Sequence, residues 1–201
     1  MRVAAVVLAA GGSTRFGKPK QLACFQGETF IRRIVKAAIE AGCALIVVVT
    51  GEDSGQIILE LRDLTVSIAT NPDWQTGIAS SIRVGVRNAM DLVGDLDAAL
   101  LLACDQPFVD ALVLRQLIQL YSTNGKPIVA SAYSETLGIP ALFDRSCFPD
   151  LLQLKGDNGA KGIILEREHN VASLDFSAGK IDIDTIADYE RQTRACEYDG
   201  P

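Results

Sequence analysis

Arg15, Lys18 and Lys20 follow closely behind two glycines, Gly11 and Gly12, and two hydroxyl residues, Ser13 and Thr14. Glycines let a ligand approach the backbone and leave main-chain N–H groups free to point at it. Arg and Lys add fixed positive charge. Such a set is suited to holding a polyphosphate. A second group lies at Asp105, directly behind the apolar run Ala98–Ala103 and just before Gln106-Pro107. A carboxylate there, facing a phosphate loop, would hold a hard Mg2+ jointly with phosphate oxygens. The same position also suits an Asp that closes a turn or caps the next helix, and position alone leaves both open.

Three further clusters have a functional and a structural reading. Asn71, followed by Gly77, Ser80 and Ser81 at the start of a helical period, offers free N–H groups and small polar side chains to a base or ribose edge; the serines equally suit capping. Asp184-Thr185, with Asp188 three residues on, is either a helix N-cap with its acidic partner or a metal contact. Gly138-Ile139-Pro140 and the turn Gly156-Asp157-Asn158-Gly159-Ala160 are the remaining glycine-rich features, the second opening a helix where an anion is welcome.

Two familiar phosphate loops are excluded. Gly12 to Lys18 fits the first seven positions of a Walker A loop, but the eighth is Pro19, where that loop needs a Ser or Thr hydroxyl. Pro also lacks the N–H that would meet a phosphate. No G-x-G-x-x-G follows the first strand, so the dinucleotide fingerprint is missing.

The elements that must position these residues alternate along the chain. Apolar, β-branched runs at Val3–Ala10, Ala44–Thr50, Ala98–Ala103 and Pro127–Ala132 read as buried strands, with a smaller one around Thr65–Ala69. Helical spacing appears at Ile31–Ile39, ending at Gly42, and again at Ile57–Leu61, Ile78–Met90, Val113–Tyr121 and Ile186–Arg194. After Gly138, strands are expected at Ile139–Phe143 and Val171–Asp175, and a helix after Asn158. Continuous apolar strands between amphipathic helices predict a three-layer α/β/α domain with a mostly parallel sheet, spanning residues 1–201 without a linker or repeat. In such sheets ligands sit at the carboxyl ends of the strands. The loop after the first strand, the Cys104–Pro107 corner and Asn71–Gly77 should therefore converge.

Composition narrows the partners. A net charge of −6 supplies no broad basic face, which argues against general nucleic-acid binding. An anionic small molecule must be attracted locally, by the three cations and a divalent metal. Five scattered cysteines without a C-x-x-C pair read as reduced thiols in a cytoplasmic protein. The apolar start resembles a signal peptide only until the glycines and cations intervene, and no membrane span is expected. His169, the one histidine, lies in a polar turn, and no Ser-His-Asp set or H-E-x-x-H is present.

The segment Leu8-Ala9-Ala10-Gly11-Gly12-Ser13-Thr14-Arg15-Phe16-Gly17-Lys18-Pro19-Lys20 resembles the signature L-A-A-G-x-S-x-R-[MF]-G-x-x-K of nucleotidyltransferases that use an NTP and release pyrophosphate. Within them the chain is most similar to the molybdenum cofactor cytidylyltransferases. The likeness runs from Leu8 to Tyr189. It includes Cys104-Asp105-Gln106-Pro107 against the metal motif A/C-D-Q-P, Asp184 against D-T-x-x-D, and Gly156 to Lys161 against G-D-x-G-A-[RK]. The motif G-M-x-x-S-[LV]-x-x-G-[LV] is departed from at Ile78, which keeps apolar bulk.

The resemblance implies a nucleotide-diphospho-sugar transferase (Rossmann-like) fold that joins CTP to molybdenum cofactor. The nucleotide would be bound by Leu8 to Ser13, Arg15, Lys20, Asn71, Gly77, Ser80 and Ser81. Arg15, Lys20 and Asp105 would act in catalysis, Asp105 and Asp184 would hold Mg2+ or Mn2+, and Gly138, Pro140, Gly156, Asp157, Gly159 and Ala160 would meet the acceptor. It further implies a molybdoenzyme or its chaperone as recipient of the product. A guanylyltransferase on the same cofactor would read L-A-G-G where this chain has Leu8-Ala9-Ala10-Gly11. A methylerythritol phosphate cytidylyltransferase shares Pro19-Lys20-Gln21 but carries D-A-A-R in place of Asp105-Gln106-Pro107-Phe108. A nucleotide-binding regulatory protein without turnover is the reading from outside enzymology.

Overall fold

The computed structural model describes residues 1–12, 16, 19–51, 54–183 and 185–198, without the side chains of 193–198. Along the chain run β1 (Val3–Leu8), β2 (Cys24–Phe25), β3 (Glu28–Thr29), α1 (Phe30–Glu40), β4 (Leu45–Thr50), α2 (Gly55–Glu60), β5 (Ser67–Thr70) and α3 (Ile78–Leu92). They are followed by β6 (Ala98–Ala103), α4 (Ala111–Asn124), β7 (Ile128–Tyr133), β8 (Thr136–Asp144), α5 (Phe148–Leu151), α6 (Lys161–Glu166), β9 (Val171–Asp175) and α7 (Ile186–Tyr198). Seven strands form one sheet in the order β5-β4-β1-β6-β8-β7-β9. All pair in parallel except β8, which runs antiparallel to both neighbours, β6 and β7.

Strand alternation divides the core into two layers. Val3, Ala5 and Val7 of β1, with Leu100 and Leu102 of β6, meet Ile31, Ile34, Leu114 and Leu117 from α1 and α4. Ala4 and Val6, with Val47, Val49 and Leu101, meet Ile82, Val86, Phe148 and Ile164 from α3, α5 and α6. The period of two in the strands buries both faces, so the runs contain no polar interruptions. In α3 the chain comes so close to the sheet that a Cβ at Gly85 would lie 2.3 Å from Val6 Cγ1.

A third, smaller cluster underlies the glycine loop: Phe16, Phe25, Phe30 and Ile183 are buried together, with Tyr189 against them. The short hairpin β2–β3, which periodicity in the sequence does not signal, supplies Phe25 to it. The helices start on recognisable caps. Thr29 accepts from Arg32 N–H at the head of α1, and Asp110 accepts from Val113 N–H at the head of α4.

Candidate active site

The carboxyl ends of β1 and β6 lie side by side in register, Leu8 opposite Ala103, and the chain splays away from both. There a cleft of about 420 Å³ opens, with Ala10, Gly11, Gly12 and Asp105 in its lining. Trp74, Gly77 and Ser81 line it from the loop before α3 and from that helix's first turn. Three loops distant in sequence thus share one cavity, as the placement of ligands at strand ends requires.

Lys20 and Asp105 pair in the lining of this cleft, with Lys20 Nζ 2.9 Å from Asp105 Oδ2. Lys20 opens a short 3-10 turn, Lys20–Leu22, whose next residue fixes the loop. Buried Gln21 donates from Nε2 to the carbonyls of Ala9 at 2.8 Å and Gly11 at 2.9 Å. With those two oxygens drawn to one side, the glycine loop is held open towards the cavity. Asp105 is anchored through its own backbone, because its carbonyl accepts from Ile183 N–H at 3.0 Å. Next to it, Gln106 donates to the carbonyls of Ile139 and Gly179, tying the corner to β8. Cys104 also lines the cleft, but burial pushes its thiol well above the usual range, so it stands as a neutral S–H and not as a nucleophilic thiolate.

The residues expected to meet the nucleotide divide into two groups. Leu8, Ala10, Gly11, Gly12, Lys20, Gly77 and Ser81 line the cleft. Asn71 and Ser80 do not present polar edges to it. They are buried beneath it, where Asn71 Nδ2 donates to Ser80 Oγ at 2.8 Å and to Ser81 Oγ at 3.0 Å. Ser80 Oγ in turn donates to Gly77 O. These groups satisfy one another and brace the start of α3, since polar atoms shut away from water need partners. Ala9 is likewise buried, contributing its carbonyl to Gln21.

The acceptor group divides similarly. Gly156 and Asp157 are exposed, Asp157 lines the cleft, and Gly156 O accepts from Ala79 N–H at 3.1 Å, which docks this loop on the head of α3. Gly77, at φ +109°, makes the docking possible: a Cβ there would lie 2.3 Å from Gly156 O. Gly159 stands behind them near Ile78. Gly138 and Pro140, however, are buried within β8, and Ala160 belongs to the core below α3. Their position inside a covered strand and a packed layer makes them support and not contact surface.

Ser13, Arg15 and Asp184 lie outside the described residues, together with Lys18. Their neighbours are fixed: Phe16 and Ile183 are buried in the same aromatic cluster. The cap question is settled at Thr185. Its Oγ accepts from Asp188 N–H at 3.1 Å, and Asp188 Oδ2 accepts from Thr185 N–H at 3.0 Å, a reciprocal capping box at the head of α7. Gln21 and Trp74, which composition did not single out, complete the cleft. Gln21 stands in the sequence as the last residue of Pro19-Lys20-Gln21 and Trp74 within Asn71–Gly77, neither of them marked out there as a site residue.

A divalent cation fits this donor chemistry. Asp105 already holds one cation, the Lys20 ammonium, and a carboxylate supplemented by phosphate oxygens is the usual seat of Mg2+. Among the described residues no group of three or more His, Cys, Asp or Glu could hold a metal alone, so the remaining ligands would come from substrate and from the Asp184 segment.

A parallel sheet with one antiparallel strand, opening a glycine loop and a strand-end carboxylate into one cleft, defines a nucleotidyltransferase of Rossmann-like fold. The chain belongs to the MobA-like NTP transferase domain family, which matches residues 5–171. It is 27% identical to purine catabolism protein PucB of Bacillus subtilis (strain 168), over 94% of this chain and 95% of that protein. The molybdenum cofactor cytidylyltransferase of Escherichia coli (strain K12) is 21% identical over 92% of each chain. A probable molybdenum cofactor guanylyltransferase of Bacillus cereus (strain Q1) is 30% identical over 63% of this chain and 60% of its own. Among solved structures, Rv0371c of Mycobacterium tuberculosis H37Rv superposes with a TM-score of 0.83 at 28% identity, over 96% of this chain and 98% of that one. The same protein has been solved in complex with manganese. No helix among the described residues is long and apolar enough to cross a membrane.

Proposed function

We propose that this protein transfers CMP from CTP to the terminal phosphate of molybdenum cofactor and releases pyrophosphate. The observation that carries the reading is the contact of Lys20 with Asp105 in the lining of a glycine-walled cleft: the ammonium suits a triphosphate, the carboxylate its metal. An oxygen of the acceptor phosphate forms a bond to the α-phosphorus of CTP, and the bond from that phosphorus to the bridging oxygen of the β-phosphate breaks. A phosphate monoester is largely ionised at neutral pH, so no general base is required. Catalysis then rests on positioning and charge neutralisation. Lys20, with Arg15, would hold the triphosphate and neutralise the departing pyrophosphate. Asp105, with Asp184, would hold Mg2+, which supplies charge stabilisation at the phosphoryl oxygens when bound. Gly156 and Asp157 would approach the acceptor, and the cytoplasm is the proposed compartment.

Cytosine is favoured by Ala10, whose methyl narrows the wall where guanine-using relatives have glycine. Guanylyl transfer to the same cofactor is the second reading, favoured by the 30% identity to the Bacillus cereus protein. Pyrophosphate release measured over the four NTPs, with and without molybdenum cofactor, tests both. Release with CTP that depends on the cofactor is expected. Release with GTP instead selects the second reading, and release that does not depend on the cofactor removes it as acceptor.

A further inference from the structure

The pair formed by Lys20 and Asp105 is one that a substrate complex has to take apart. Lys20 Nζ lies 2.9 Å from the carboxylate oxygen that a metal would use. Two cations cannot share that oxygen without strong mutual repulsion. A triphosphate, in contrast, offers the ammonium a second anion of higher charge. Resting on the placement of metal at Asp105 and triphosphate at Lys20, but not on the identity of the base, we propose that Lys20 governs metal binding by exchange. Before nucleotide arrives its ammonium occupies Asp105. The triphosphate draws the ammonium away and leaves the carboxylate to the divalent cation.

The surrounding geometry holds the backbone at both residues and leaves this exchange to their side chains. Asp105 is held by the bond from Ile183 N–H to its carbonyl. The backbone around Lys20 is held by Gln21, buried and bonded to Ala9 and Gly11. On the lysine side the moving part is a four-carbon stem carrying a point charge. Both side chains keep contact with solvent, at 15% and 28% exposure, so water can fill in as the pair opens. Coupling of this kind is reciprocal, so the metal favours the polyphosphate as much as the polyphosphate favours the metal. A consequence is that the empty site does not accumulate metal.

Mn2+ alone, titrated into the full chain and followed by the electron paramagnetic resonance of the free ion, provides a readout independent of turnover. Wild type should bind weakly, and Lys20→Met should bind about tenfold more tightly, a coupling of ordinary size between two ligands. Lys20→Gln should do the same, which guards against poor folding of either variant, and thermal melting checks both. Lys20→Arg keeps the competing charge and should stay weak. If Lys20→Met and Lys20→Gln are folded and bind Mn2+ no better than wild type, while Asp105→Asn loses the ion, the exchange is refuted and the metal site survives. If Asp105→Asn binds as wild type does, the metal placement itself fails and the exchange with it.

Discussion

The ring of Phe16, within the glycine loop, meets the ring of Tyr189 on α7 edge-on, with centroids 5.9 Å apart. Tyr189 also stands edge-on to Phe30 and donates from its hydroxyl to Cys24 O at 2.6 Å. The first loop of the chain and its last helix are therefore joined through one aromatic cluster, in which Ile183 is fully buried. Phe16 and Ile183, the sequence neighbours of Arg15 and Asp184, thus share one support.

Removing that support should injure stability and substrate binding together. Phe16→Ala deletes a fully buried ring and should cost about 3–5 kcal/mol in denaturant unfolding. It should also raise the KM for nucleotide, because the loop loses its anchor. Tyr189→Phe keeps the ring contacts and removes one hydrogen bond, for a loss of about 1 kcal/mol. A Tyr189→Phe protein as damaged as Phe16→Ala would show that the hydroxyl, and not the ring packing, holds the loop.

Gln21 makes a sharper test of loop geometry. Its two donated bonds to Ala9 O and Gly11 O need an amide, since a carboxylate offers no proton to either carbonyl. Gln21→Glu preserves size and should still lower stability by roughly 2–3 kcal/mol, from a buried acceptor facing acceptors. Nucleotide KM should rise more than kcat falls. The melting temperature and steady-state kinetics of this one variant decide the matter, and an unaltered KM would remove Gln21 from the role of loop clamp.

The carboxylates separate by chemistry. Asp105→Asn removes charge at constant shape and should abolish turnover with little change in melting temperature, at saturating Mg2+. Because Thr185 and Asp188 form the capping box of α7, Asp184→Asn should cost turnover without a helix penalty. Thr185→Ala should do the reverse, losing about 1 kcal/mol of stability while retaining metal dependence. Near-normal turnover in Asp105→Asn would refute the metal assignment.

These residues also show how far the sequence could be read. β6 occupies Ala98–Ala103 as the apolar run indicates, because continuous burial leaves no other pattern, and β9 occupies Val171–Asp175 as expected although it is only partly buried. The β2–β3 hairpin has two-residue strands, too short for any period to show. Asn71 and Ser80 illustrate a deeper limit. Small polar residues at a helix start serve equally well facing a ligand or facing one another, and only packing makes the choice. Gly138 and Pro140 were motif residues without a visible depth; their strand runs antiparallel in the middle of the sheet, between β6 and β7, and is covered on both faces. The Gln21 fork depends on a loop folding back so that residues 9 and 11 present their carbonyls together, which no spacing rule encodes.

Base choice should depend on Ala10. This residue is 7% exposed and lines the cleft at the point where the glycine loop leaves β1, together with Ser81 and Trp74. If CTP is the substrate, the Ala10 methyl would take space that a purine needs, and a wrong base would also leave its buried polar edge unpaired, at the cost of an unsatisfied donor or acceptor. CTP should therefore be strongly preferred over GTP. Ala10→Gly should narrow that preference while leaving pyrophosphate release intact, because a glycine here removes volume without disturbing Lys20 or Asp105. The ratio of kcat/KM for CTP and GTP, compared between wild type and Ala10→Gly, checks this. A ratio unmoved by the substitution would transfer selection to the Trp74–Gly77 wall, and a wild type that prefers GTP would replace cytidylyl transfer with guanylyl transfer on the same acceptor.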